Sequence, residues 1–204
     1  ISGLALILGG VRIWAAWQER SLAGRYQIMN ELAGHLNAAA GFQAVERGTG
    51  AVILNSEGQP PAEIVKRFDD VSRKGQDAVQ NARRALGELL ARTAGDGLKR
   101  QAEEWDKTLA SAASARMRVP TRSIPTADWI AAAGANIAQE FAVRDAAFAP
   151  STQQAKVLWY NTIVRSDVAT LCEFAGQERA TVGSHIAAGK PLSPQPLKAL
   201  AGNR

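Results

Sequence analysis

Two Glu-Arg pairs carry most of the chemistry this sequence offers. One lies in Ala44-Val-Glu-Arg47-Gly-Thr-Gly-Ala-Val-Ile-Leu54, the other in Glu173-Phe-Ala-Gly-Gln-Glu-Arg179-Ala-Thr-Val-Gly-Ser-His-Ile-Ala-Ala-Gly189. In each, a small residue follows the arginine, and an apolar run containing glycine comes next. A guanidinium keeps its charge in any surroundings, so an arginine turned into an apolar seam needs a carboxylate, a carbonyl, water or a ligand. Its planar fork of donors suits a small planar oxyanion held by two parallel hydrogen bonds. Gly48 and Gly176 leave room beside the two arginines, and Gln43 stands one turn before Arg47 on the same helical line. The candidate ligand-binding set is therefore Arg47, Arg179, Gln43, Gly48 and Gly176. The competing reading pairs the arginines with Glu46, Glu173 or Glu178, or sends them to solvent along their aliphatic stems.

Other reactive residue types stand apart from one another. Neither His35 nor His185 has a second histidine, a cysteine or a carboxylate cluster three or four positions away, so no metal is expected. Cys172, the single cysteine, reads as a small packing residue within a helix. Trp105, Trp129 and Trp159 read as core. Asp69-Asp70 and Glu103-Glu104 are helix neighbours pointing in different directions, a solvated face rather than an acid–base couple. There is no phosphate loop, nucleophile elbow or zinc-protease motif. No enzyme activity and no cofactor are expected.

The elements that must position these residues are helical. Met29, Leu32, Leu36 and Ala39 recur at steps of three and four, and the same steps continue through Gln43, Arg47 and Leu54. This predicts one long helix over 20–54 whose buried stripe passes through its polar residues. Asn55-Ser-Glu-Gly-Gln-Pro-Pro61 is a loop. A second helix starts from Pro61, with Ile64, Phe68, Val71, Gly75, Ala78, Ala82, Leu86 and Leu89 on its inner face, closed near Gly95. A third spans 96–117 with Leu98, Ala102, Trp105 and Leu109 inward. A fourth opens at Pro125 or Thr126, with Ile130, Ile137, Phe141 and Phe148 as its apolar positions. The fifth covers 152–188, and its core line runs Val157, Asn161, Val164, Val168, Leu171, Ala175, Arg179, Val182, Ile186. Gly189-Lys-Pro-Leu-Ser-Pro-Gln-Pro196 ends it, and the tail from Leu197 begins a further helix. No stretch alternates with period two, so no sheet is expected. The fold class is all-α: an up-and-down antiparallel helical bundle with long first and last helices, or two four-helix bundles stacked on one another.

At 204 residues the chain can bury a sizeable core without staples. A net charge of +5 is spread along the chain without a basic block or interleaved aromatics, which argues against nucleic acid as a partner. The opening, Ile1-Ser-Gly-Leu-Ala-Leu-Ile-Leu-Gly-Gly-Val11 with Ile13-Trp-Ala-Ala-Trp17, reads as the outer half of a membrane crossing, since a full one needs about 20 apolar residues. Trp14 and Trp17 stand where an interfacial belt would, just before Gln18-Glu-Arg20. The expected organisation is an outer transmembrane segment over 1–19 and an extracytoplasmic sensor domain over 20–204.

The long helix ending in Gln43-Ala-Val-Glu-Arg-Gly48, with Tyr160-Asn-Thr-Ile-Val-Arg165 through Glu173-Phe-Ala-Gly-Gln-Glu-Arg-Ala180, resembles the nitrate- and nitrite-sensing domain of bacterial membrane receptors over roughly residues 26–192. That family's domain is an all-helical pair of bundles found in chemotaxis transducers, sensor kinases and some cytoplasmic regulators. The resemblance implies binding of nitrate or nitrite through Arg47 and Arg179. The function expected is thus an extracytoplasmic ligand-sensing domain of a transmembrane receptor, a chemotaxis transducer first, on the periplasmic side of the inner membrane. Its partners would be a small inorganic anion, the membrane through the first helix, and a second copy in a homodimer. The alternative is a ligand-free bundle acting as a structural or protein-interaction module.

Overall fold

The computed structural model describes residues 2–92, 96–149, 156–192 and 194–202. Six helices account for nearly all of them: α1 (Ser2–Asn55), α2 (Ala62–Arg92), α3 (Asp96–Arg118), α4 (Thr126–Ala147), α5 (Lys156–Ala187) and the short α6 (Pro194–Gly202). No strand occurs among the described residues. The all-α bundle read from the periodicity is the fold observed. Its boundaries come from local chemistry. Pro60 and Pro61 stop α1 from continuing, and the Pro61 carbonyl accepts the first amides of α2 from Ile64 and Val65. Gly58 and Gly189 take positive φ in the turns after α1 and α5, where a side chain would be strained.

Direction is set by which residues meet. Ser72 reaches Glu46 and Trp129 reaches Arg47, while Arg144 reaches back to Asn37, so α2 and α4 run antiparallel to α1. Arg116 meets Glu46 on α3, which rises parallel to α1. These four helices close a bundle. The fifth, α5, lies alongside α1 and parallel to it, with Arg165 near Asn30 and Gly183 against Val52, and it hardly touches α4.

The core has two apolar parts. One gathers Leu32, Leu36, Leu86, Leu89, Leu98, Trp105 and Val143; the other gathers Ile53, Phe68, Val119, Ile124, Trp129 and Ala133. Between them lies a polar layer in which Gln43, Glu46, Arg47, Ser72, Asn136 and Glu140 are all buried.

Three expectations change. No helix among the described residues is long and apolar enough to cross a membrane, and α1 runs unbroken from Ser2 into the bundle. On α4 the buried line is Trp129, Ala133, Asn136, Ile137, Glu140, Val143, Arg144, Ala147, about one residue out of phase with the expected one, so Ile130 and Phe141 are only half-buried. On α5 the expected core line faces outward: Val164, Val168, Leu171, Ala175, Arg179 and Ile186 are exposed, while Gly176, Ala180 and Ser184 are buried. The side chains of Val157, Trp159 and Asn161 lie outside the described residues. Small side chains on α5 let it sit closely against Ala44 and Val52 of α1, and Glu173 reaches a buried cation there. That pairing sets the rotation of the helix against the pull of its apolar stripe.

Candidate functional site

Glu46 and Arg47 are adjacent on α1 and so point about 100° apart, into different helix pairs. Both are buried, at 1 % and 0 % exposure. Glu46 turns to α2 and α3. Its carboxylate accepts Nε and Nη2 of Arg116 as a side-on fork, the second at 3.0 Å, and also accepts the Ser72 hydroxyl. This pair is charge-balanced and its oxygens are occupied.

Arg47 turns to α4 and α5. Its backbone carbonyl accepts the Trp129 indole N–H at 3.0 Å, which fixes that turn of α1 against the start of α4. Its Nη1 donates to Glu173 Oε1 in an ion pair with the carboxylate 12 % exposed. Gln177, one turn further along α5, donates to the same oxygen at 3.0 Å. Nε and Nη2 of Arg47 are buried and have no hydrogen-bond partner among the described residues. These two nitrogens form one edge of the guanidinium, the edge that in Arg116 grips Glu46 and in Arg144 grips Asp145 Oδ1 at 3.1 and 3.0 Å. Arg144 is equally buried, yet its Nη1 also donates to Asn37 at 3.0 Å and its head lies 4.8 Å from the Phe141 ring centre. Of these three arginines, Arg47 alone keeps a complete two-pronged edge unengaged.

Three small residues surround that head. A Cβ added to Gly134 of α4 would lie 3.6 Å from Nη1. One added to Gly176 of α5 would lie 3.1 Å from Nη2 and 3.7 Å from the Ala44 Cβ. At Gly176 a methyl would therefore crowd Nη2.

Two grooves run beside this point. One, of about 400 Å³, lies between α1, α4 and α5 and is mainly apolar, with Ala40, Ala44, Ile137, Phe141 and Val168 in its walls and Glu173 at its edge. The other, of about 200 Å³, lies between α1, α2 and α5 and is lined by Ala44, Gly48, Thr49, Arg67, Gly176 and Arg179. Gly176 thus has Arg47 at its own position and Arg179 one turn on, the former buried and the latter exposed on the groove.

Of the residues singled out from the sequence, Arg47 and Gly176 meet directly. Gly48 and Arg179 share the neighbouring groove with Gly176. Gln43 is engaged elsewhere: its Nε2 donates to Glu140 Oε1 at 2.7 Å and its Oε1 accepts Asn136 Nδ2 at 2.6 Å. Asn136 also donates to Glu140 Oε1, at 3.1 Å. Burial pushes the Glu140 carboxyl up to about 8, against the lowering effect of the hydrogen bonds from Gln43 and Asn136. Cys172 is exposed on α5 rather than packed. His35 lies 3.7 Å from Glu31, and the His185 ring meets the Thr181 carbonyl at 3.0 Å.

Sequence reasoning overlooked Asn136, Glu140, Arg116, Gly134 and Arg67. The spacing of Trp129, Ala133, Asn136 and Glu140 at steps of three and four was the available signal.

No family model matches the chain, and neither does any curated protein. Among solved structures, that of the NasR transcription antiterminator matches with a TM-score of 0.76 at 20 % identity, over 95 % of this chain and 52 % of that one. At this identity the likeness speaks for the fold. The chain spans about half the length of that protein. The neighbour is a transcription regulator and no described helix could cross a membrane, which overturns the reading as a membrane receptor's sensing domain on the periplasmic side of the inner membrane.

Proposed function

We propose that this helical bundle is the ligand-sensing domain of a regulatory protein and that it takes a small planar oxyanion, such as nitrate or nitrite, on the Nε–Nη2 edge of Arg47. One observation carries the reading: a fully buried guanidinium whose two-pronged edge has no partner among the described residues, with a glycine close beside it. A buried charge half-satisfied in this way is costly, and a bidentate anion is the partner that its geometry fits. Arg179 and Arg67 on the adjoining groove add positive charge along the approach. The fold's likeness to a transcription antiterminator supports placing the sensor within a longer regulator. The planar pair of donors on the free edge sets the ligand class, a small planar oxyanion.

A ligand-free interaction module would have both arginines matched by protein carboxylates. Arg47 meets one carboxylate on one nitrogen only, which favours the sensing reading. The test is calorimetric titration of the chain with nitrate and nitrite, repeated on Arg47→Lys. Lysine keeps the charge but cannot present two parallel donors. Binding lost in a folded Arg47→Lys variant supports the site; equal binding in variant and wild type rejects it.

A further inference from the structure

The sensing site holds an anion of its own. Glu173 lies against Nη1 of Arg47, so the buried guanidinium is already neutralised before any ligand arrives. A second anion on the Nε–Nη2 edge would place two negative charges about one guanidinium width apart, in surroundings where Arg47 is 0 % exposed. Like charges at such range in a dry site disfavour each other strongly. One cation cannot hold both at full strength.

The carboxylate is the mobile member of the pair. Arg47 is fixed by the packing of α1 and by the Trp129 bond to its carbonyl. Glu173 is 12 % exposed and borders the groove of about 400 Å³ between α1, α4 and α5. Its helix is held on one side only. It packs along α1 through small residues and hardly touches α4. Two further polar ties, Arg165 Nη1 to Asn30 Oδ1 at 3.5 Å and Ser166 Oγ to Asp145 Oδ2 at 3.4 Å, are long and exposed.

Resting on the sensing reading, we propose that Glu173 is a built-in competitor for Arg47: an oxyanion binds by displacing the Glu173 carboxylate, and occupancy thereby releases α5 from α1. Binding is then an exchange of one anion for another, with no net change in buried charge. The affinity is set by how well the ligand outcompetes a tethered carboxylate. The same exchange converts ligand occupancy into movement of α5, which packs on α1 and hardly touches α4.

Glu173→Gln separates this from the site itself. The amide keeps the length of the side chain and removes the competing charge. Nitrate is titrated calorimetrically into the wild-type chain, Glu173→Gln and Arg47→Lys. A nitroxide on Cys172, exposed on α5 next to Glu173, reports the motion of that helix. The expected result is nitrate binding at least about tenfold tighter in Glu173→Gln. Nitrate should also change the nitroxide spectrum of the wild type, and unliganded Glu173→Gln should already resemble the liganded form. Wild-type binding with equal or weaker binding in Glu173→Gln, or with an unresponsive label, overturns the competition and leaves the site standing. Binding in neither chain overturns the site, and the competition falls with it.

Discussion

Adding one methyl group to Gly176 should separate binding from stability. The Cβ of alanine there would stand 3.1 Å from Arg47 Nη2 and 3.7 Å from the Ala44 Cβ. The first distance lies within the 2.7–3.2 Å or so of an N–H···O bond, so the methyl takes space that a ligand oxygen on Nη2 would need. A hydrogen bond to a charged group contributes about 1.5–3 kcal/mol, which corresponds to a loss of roughly 10- to 150-fold in affinity. The folded chain should hardly notice. Alanine in place of glycine within a helix gains about 1 kcal/mol, and the guanidinium need yield only a few tenths of an ångström, at a cost of similar size. Net stability should therefore change by less than about 1 kcal/mol. Gly134→Ala is the control, since its Cβ at 3.6 Å from Nη1 makes an ordinary contact. Calorimetric titration with nitrate and thermal unfolding of both variants give the comparison. If Gly176→Ala binds nitrate as the wild type does, the free edge of Arg47 is not where the anion sits.

Two further outcomes test the layer around the site. A Cβ on Gly50 would lie 2.5 Å from Trp129 Nε1 and 2.8 Å from Cε2, so Gly50→Ala must push the indole off the Arg47 carbonyl. The overpacking and the lost buried bond should together cost about 2–4 kcal/mol, a fall in Tm on the order of 10 °C by calorimetry; an unchanged Tm would contradict the packing described. Glu140 has a folded-state pKa raised from 4.5 to about 8. Such an acid holds its proton more tightly when folded, so stability is greatest below the unfolded value and falls as pH rises towards the folded one. Urea unfolding at about pH 5, 7 and 9 should show the wild type weakening through this range, with a slope contribution approaching about 1.4 kcal/mol per pH unit, and Glu140→Gln should flatten it.

Burial of Arg47 was legible because Leu32, Leu36, Ala39, Gln43 and Arg47 lie on one uninterrupted helical line, and the neighbours of that line are all present in α1. The same rule failed for Arg179. Apolar residues are distributed around α5, so its pattern supports more than one inward face. The choice between them was made by residues outside the helix: the buried cation on α1 draws Glu173, and the close approach of α1 admits only the Gly176, Ala180, Ser184 side. Periodicity records what a helix could bury and says little about a charge on its partner. On α4 the apolar positions were given precedence over Asn136 and Glu140, although these share the inner line, because their partner Gln43 is distant in sequence.

The position of the polar layer bears on why it exists. It divides the two apolar clusters at the level of Glu46 and Arg47, where an unbroken apolar core would stabilise the bundle at least as well. Glu46 has its charge matched by Arg116, and Arg144 has its own matched by Asp145. Two buried groups of the layer lack a full set of partners among the described residues: Glu140 at Oε2, and Arg47 along a whole donor edge beside a glycine and beside α5. A complete two-donor edge left unmatched, among arginines that show how it could have been filled, is what a binding site for an anion requires. The edge left unmatched in the free protein is then matched by the ligand, and the energy released there is available to move α5.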